Sequence, residues 1–117
     1  MSGLESVNLP EYHELTVRGQ RWFLTSVEVW NTMLVIHGAQ PVLTNSSDAI
    51  VMLNARDEHG TLYAGRSGGT GGGPAGSPGT ESYRLVRPAG SNPRGRLTIE
   101  GRFRGDTRET ITTLEIR

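Results

Sequence analysis

The three histidines are the side chains of this chain best suited to metal binding or proton transfer. His13, His37 and His59 lie 24 and 22 residues apart, so no two share a local ligand spacing such as His-x-x-x-His. His59 follows Asp57 and Glu58, but three adjacent turn residues do not converge easily on one ion. The chain has no cysteine, which excludes thiolate metal sites and thiol catalysis. We therefore predict no metal, no cofactor and a solvated turn here.

Nucleophilic and carboxylate chemistry has suitable residue types but no pattern that selects particular residues. Serine and threonine are frequent, so a Ser-His-Asp triad can be composed in several ways, yet no Gly-x-Ser-x-Gly elbow occurs on a strand-to-helix turn. Glu28 and Glu100 are candidates for a carboxylate pair of the glycosidase type, although Glu100 is surrounded by arginines expected to be exposed. The sequence thus assigns no catalytic residue. A small hydrolase or carbohydrate-active enzyme, with a site assembled from distant strands, is the alternative function.

Two tryptophans are candidates for ligand contact. Trp22 and Trp30 are eight positions apart in one predicted strand, an even separation that places both on the same face unless a bulge intervenes. On one exposed face they would form a stacking platform for sugars or bases, and the alternative is packing in the core. Tyr63 and Tyr83 are expected to pack as well.

The positive charges are all arginine and are unevenly distributed. The chain has 12 Arg, no Lys and 12 acids, which excludes Schiff-base lysines and argues against a general nucleic-acid binder. Residues 1–60 carry three Arg and seven acids, whereas residues 82–108 carry seven Arg and two acids. Strand alternation predicts a positive stripe of outward side chains, which is the candidate interaction surface: Arg84, Arg96, Arg102 and Arg104. This stripe is either a solvated or charge-protected edge strand or a contact for an acidic partner, including the acidic first half of a second copy.

The elements that carry these residues follow a period of two rather than 3.6, with Gly, Pro and Asn at short intervals. This pattern predicts one all-β domain over residues 1–117, an immunoglobulin-like antiparallel sandwich of about seven or eight strands. Leu97, Ile99 and Phe103 are expected to face the core. The predicted strands are Tyr12–Val17, Trp22–Trp30, Met33–Ile36, Thr61–Ala64, Ser82–Val86, Arg96–Phe103 and Thr110–Ile116.

Two segments have a composition that does not by itself indicate a strand. Ala49–Arg56 could be a helix capped by Asp48 and ended by Gly60, but its β-branched residues and short apolar run favour a strand, which we predict. Residues 65–80 contain half of the chain's 16 glycines and few apolar groups, so a long flexible Gly-rich loop is predicted. The Gly-x-Gly-x-x-Gly match inside this loop lacks the strand and helix of a dinucleotide site.

The hairpin sequence Asp57-Glu58-His59-Gly60-Thr61-Leu62-Tyr63, the glycine-rich segment after it and Leu97-Thr98-Ile99 resemble a group of small actinobacterial β-sandwich proteins. Those proteins share an Asp-x-x-Gly-Thr-x-Tyr hairpin followed by a glycine-rich stretch. The resemblance extends over roughly residues 16–104 and implies a sandwich fold. It implies no catalytic residue.

These observations together predict a non-catalytic interaction or structural module. No apolar run approaches the roughly 20 residues that span a bilayer, and the first residues lack a basic and apolar export signal. We therefore expect a cytoplasmic protein without membrane contact, whose partner is another protein or a second copy rather than nucleic acid. Anion or nucleic-acid binding through the Arg-rich C-terminal strands is a weaker alternative.

Overall fold

The computed structural model describes residues 3–10, 14–41, 49–72 and 78–117, and these residues form strands and turns without a helix. The prediction of an all-β fold is confirmed. Within the described ranges there is accordingly no helix of the length and apolarity needed to cross a bilayer. The ten strands are β1 (Leu4–Asn8), β2 (Glu14–Val17), β3 (Gln20–Trp30), β4 (Met33–Gln40), β5 (Met52–Asp57), β6 (Leu62–Tyr63), β7 (Gly65–Gly72), β8 (Gly79–Val86), β9 (Gly95–Arg102) and β10 (Arg108–Ile116).

The strands form two antiparallel sheets packed as a sandwich. Sheet A has six strands in the order β1-β3-β4-β8-β7, with β2 paired to β3, and sheet B has four in the order β10-β9-β5-β6. The long β3 pairs with β2 through one half and with β1 through the other. After β6 the chain passes from sheet B to sheet A at Ala64, whose carbonyl accepts a hydrogen bond from Val86 at 2.8 Å.

The core between the sheets is built from the alternating inward side chains that the sequence pattern provides. Strand β8 shows this directly, because buried and exposed residues alternate along its whole length. Burying one such aliphatic or aromatic side chain stabilises the fold by about 1.5–3 kcal/mol. The buried cluster comprises Trp22, Leu24, Val27, Val29, Leu34, Ile36, Leu53, Ala55, Tyr63, Tyr83, Leu85, Leu97, Ile99 and Ile116.

A bulge in β3 determines which of its side chains face the core. Trp22 and Leu24 are buried, and so are Val27 and Val29, so the inward positions change parity between the two pairs. The register against β4 shifts between Leu24 and Ser26. One extra residue turns every later side chain of the strand to the other face. Trp22 and Trp30 therefore lie on opposite faces, because the bulge that was the stated exception to a shared face is present.

The uncertain segment before Gly60 is a strand, as predicted. Met52–Asp57 lies between β9 and β6 in sheet B, and Leu53 and Ala55 are fully buried there. Pairing on both sides and burial of a short apolar run outweigh the helix-forming residues. The proposed cap, Asp48, lies outside the described residues.

The prediction of a loop over residues 65–80 is wrong for most of its length. Gly65–Gly72 is strand β7 at the end of sheet A, paired with β8. Gly68 lies opposite Tyr83, and a Cβ at Gly68 would overlap the Tyr83 ring and come within 3.1 Å of the Ser82 carbonyl oxygen. The glycines thus allow close packing that a local composition argument does not detect. Residues 73–77 lie outside the described residues.

Candidate functional site

A hydrogen-bonded chain of three side chains crosses the outer face of sheet A. Ser82 Oγ lies 2.9 Å from His37 Nδ1, and His37 Nε2 lies 2.8 Å from Glu28 Oε2. The three residues come from β8, β4 and β3, which are neighbours in the sheet. His37 and Ser82 are direct cross-strand partners, and the bulge in β3 turns Glu28 outward beside them. The fold thus assembles a Ser-His-Glu array that the sequence spacing does not show.

When Glu28 is ionised and His37 is neutral, the chemistry of the groups fixes where the protons lie. A carboxylate only accepts hydrogen bonds, so His37 Nε2–H donates to Glu28. His37 Nδ1 then carries the lone pair and accepts the Ser82 hydroxyl hydrogen. Trp30 Nε1–H donates to the second oxygen of Glu28 at 2.8 Å, which holds the carboxylate from both sides. The arrangement is that of an oriented base beside a hydroxyl group.

The surroundings of this array are open to water. It lies in a shallow depression of about 430 Å³. The relative solvent exposure of the side chain is 31% for His37 and 26% for Glu28. Ser82 belongs to a strand paired on both sides, with His37 and with Gly69, so its backbone takes part in the sheet ladder. The depression is also lined by Thr25, Ser26, Gly38, Ala39, Thr80 and Glu81.

The two tryptophans have separate roles. Trp22 is 1% exposed and donates from Nε1 to the buried Glu81 carboxylate at 2.6 Å. Trp30 is partly exposed on the outer face of sheet A, next to Glu28. The two rings therefore do not form one stacking platform, and the interpretation of Trp22 as a core residue holds.

The predicted stripe of four arginines is divided between the two sheets. Arg84 is exposed on β8 of sheet A, whereas Arg96 and Arg102 point outward from β9 of sheet B. Arg104 follows β9 in the turn before β10. The prediction that Arg84 belongs to the same stripe is thus wrong, because β8 and β9 lie in different sheets. Edge protection is also wrong for β9, which lies between β5 and β10.

The carboxylates considered in the sequence do not form a pair. Glu28 is on sheet A, and Glu100 is on sheet B, where its Oε2 lies 3.5 Å from Arg56 Nε. Asp57 accepts hydrogen bonds from the amides of His59 and Thr61 at 2.9 and 3.0 Å. This carboxylate therefore organises its own turn. No group of three His, Asp or Glu able to hold a metal occurs among the described residues, which do not include His13.

Comparison with protein-family models found no match, and searches among curated proteins and solved structures found none either. The outer face of sheet A carries the ordered side chains that are the functional candidates. The sequence contained one usable signal for it, the outward parity of Ser82 beside the inward Tyr83 and Leu85. The proximity of Glu28 and His37 to Ser82 depends on strand order and on the bulge.

Proposed function

We propose that this protein is a non-catalytic, immunoglobulin-like binding module that contacts a partner protein through the outer face of sheet A. The observation that carries the proposal is the ordered array of Glu28, His37 and Ser82 on an open surface. Hydrogen bonds between these side chains fix their orientation before a ligand arrives, which lowers the entropy lost on binding. Small-molecule sites usually enclose their ligand, whereas a shallow depression suits a larger surface.

The residues around the array support a protein partner. Trp30 lies next to Glu28, and Arg84 is the next outward residue after Ser82 on β8. Trp and Arg are enriched at protein interfaces and among the residues that contribute most to affinity. The outer face of sheet A therefore combines an aromatic group, a cation and fixed hydrogen-bonding groups.

Quantitative affinity capture tests the proposal. The immobilised protein would be exposed to an extract of the organism that makes it, beside the variant His37→Ala/Ser82→Ala. A matched control, Thr98→Ala/Thr113→Ala, removes the hydroxyl pair on the outer face of sheet B, where the two oxygens lie 3.1 Å apart. We expect a partner retained by the wild type and the control but lost by the sheet A variant. Equal capture by all three folded proteins contradicts the proposed face, and no specific partner at all contradicts a binding function.

A small hydrolase is the second candidate, favoured by the order of hydrogen bonds from Ser82 through His37 to Glu28. In this function Ser82 Oγ attacks an ester carbonyl carbon while its proton passes to His37, which then protonates the departing alcohol. Water releases the acyl group from Ser82 in the reverse sequence. Because the Ser82 backbone belongs to the ladder, charge on the substrate oxygen would have to be stabilised by side chains such as Arg84.

Covalent labelling separates the two candidates. A fluorophosphonate reacts with an activated serine, so the hydrolase predicts labelling of Ser82 by mass spectrometry and its loss in His37→Gln. Ser67, exposed on β7, provides the unactivated comparison on the same sheet. Labelling of Ser82 no faster than Ser67, without hydrolysis of p-nitrophenyl acetate above that of Ser82→Ala, rejects the hydrolase and leaves the binding module.

A further inference from the structure

The turn between β9 and β10 concentrates positive charge on the outer side of sheet B. Arg102 and Arg108 are direct cross-strand partners at the end of the β9–β10 pair, and Arg104 is exposed in the turn between them. Like charges placed opposite each other across an antiparallel pair destabilise it. We call these three residues the basic hairpin.

The nearby acids do not neutralise the basic hairpin. Glu109 Oε2 lies 2.5 Å from Arg18 Nε, and the Arg18 guanidinium stacks over the Phe103 ring with its carbon 3.9 Å from the centroid. Glu100 is directed to Arg56. No acid among the described residues forms an ion pair with a member of the basic hairpin. Asp106, exposed in the turn, is the one carboxylate between Arg102 and Arg108, so the segment from 102 to 108 keeps a formal charge of +2.

The turn gives this charge a concave setting. Gly105 and Asp106 have φ values of 85° and 61°, left-handed conformations that reverse the chain within a few residues. A shallow, open depression of about 440 Å³ lies at the turn, and its wall contains Arg102, Arg104 and the carboxylate of Asp106, whereas Arg108 is not among its lining residues. Val51 and Phe103 contribute apolar surface to the same depression. Two guanidinium groups without an acid partner among the described residues, those of Arg102 and Arg104, thus border a shallow depression.

We propose that the basic hairpin is a binding site for a compact oxyanion carrying several negative charges, of the phosphate or pyrophosphate type. Guanidinium groups bind such oxygens through two parallel hydrogen bonds, and a bound anion relieves the repulsion between Arg102 and Arg108. A long nucleic acid is disfavoured because the whole chain has no net charge and residues 1–60 are acidic. The site is distinct from the outer face of sheet A and independent of the function proposed for that face.

Calorimetric titration with inorganic pyrophosphate at low salt tests the site on the intact protein. We expect Arg102→Gln/Arg108→Gln to weaken binding by about tenfold or more, since two of three cations are lost. The matched control is Arg66→Gln/Arg96→Gln, which removes the same charge at exposed positions outside the hairpin and should change affinity by less than about twofold. Binding by the wild type should also weaken as salt is added. Absence of pyrophosphate binding by the wild type, or equal loss in both variants, overturns the proposal.

Thermal denaturation with and without pyrophosphate distinguishes an anion-binding site from arginines that affect only the stability of the fold. Without ligand, Arg108→Thr should melt above the wild type because the cross-strand repulsion is gone. At the same concentration, pyrophosphate should raise the melting temperature of the wild type more than that of Arg108→Thr, since a ligand that binds only the folded state stabilises it in proportion to the logarithm of its affinity. Two parallel titrations, with an oligoglutamate peptide and with a DNA oligonucleotide, complete the test. Tighter binding of either than of pyrophosphate at matched salt overturns the compact oxyanion as the ligand.

Discussion

The Tyr63 hydroxyl donates a hydrogen bond to the Asp57 carboxylate at 2.8 Å, inside the β5–β6 hairpin. The other carboxylate oxygen accepts the amide hydrogens of His59 and Thr61. Burial acts to raise the pKa of Asp57, but the hydrogen bonds from Tyr63, Thr61 and His59 outweigh it and hold this pKa below its ordinary 3.8. One carboxylate therefore joins a surface turn to a buried side chain, and its ionisation is linked to folding.

Replacing Asp57 by Asn should destabilise the protein at neutral pH but not in strong acid. A carboxyl group whose pKa is lower in the folded state stabilises the fold fully above its unfolded pKa, near 3.8, and this stabilisation is lost as pH falls from that value through the lower folded-state pKa. Loss of the charged acceptor should lower the free energy of unfolding by about 1–3 kcal/mol. Urea denaturation of wild type and Asp57→Asn, at about pH 7 and about pH 2, measures the difference. A gap of equal size at both pH values would contradict the linkage.

The hydrogen bond between Tyr63 and Asp57 also predicts a loss of stability at alkaline pH. Burial is the main cause that raises the pKa of Tyr63 from 10.0 to about 12, with the hydrogen bond and charge of Asp57 adding to it against the opposing effects of Ser91 and Arg87. A phenol with a raised folded-state pKa stabilises the fold below its unfolded value and loses this effect as pH rises to about 12. The stability advantage of wild type over Tyr63→Phe should therefore shrink across this interval. Tyrosinate absorbance, followed in parallel, should show Tyr63 ionising late, and its ionisation near the ordinary value would argue against the prediction.

The buried carboxylate of Glu81 in sheet A provides one accepting oxygen for each of two buried donors. Glu81 is 2% exposed and accepts from Trp22 Nε1 and from the Tyr83 hydroxyl. Burial, followed by the charge and hydrogen bond of Glu81, raises the pKa of Tyr83. In Glu81→Gln one accepting oxygen becomes an NH₂ group, which leaves a buried donor without an acceptor.

We expect Glu81→Gln to lower the free energy of unfolding by about 1–3 kcal/mol. Ser82→Ala, at the next and exposed position, is the control and should stay within about 0.5 kcal/mol of the wild type. Denaturant titrations of the three proteins decide the matter. Equal stability of Glu81→Gln and wild type would show that the amide finds a second arrangement of hydrogen bonds.

The sequence predicts the strands and most of the core because alternation is a local property. Leu97, Ile99 and Phe103 are buried as expected. The opposite faces of Trp22 and Trp30 were not predictable in this way. The bulge near Thr25 depends on the register against β4, and both faces of β3 carry apolar residues, so alternation alone gives no choice of parity.

The candidate site is non-local in the same sense. The alternation of its neighbours predicts that Ser82 points outward. Its partners, Glu28 and His37, lie next to it only because β3, β4 and β8 are side by side in the sheet. The division of the arginine stripe has the same cause, since Arg84 and Arg96 belong to strands of different sheets. Strand order is determined by packing and loop connections, which single-strand periodicity does not encode.

The glycines of β7 provide the most direct test of that strand. Gly68 and Gly69 are adjacent, yet a Cβ at Gly68 would overlap the Tyr83 ring, whereas one at Gly69 would meet nothing within 4 Å. Gly68→Ala should lower the free energy of unfolding by about 1–3 kcal/mol through overpacking. Gly69→Ala should be neutral or slightly stabilising, because alanine restricts the unfolded chain more than glycine does. Denaturant midpoints of the two variants measure the contrast. If the segment were the flexible loop that its composition suggests, the two substitutions would have the same small effect.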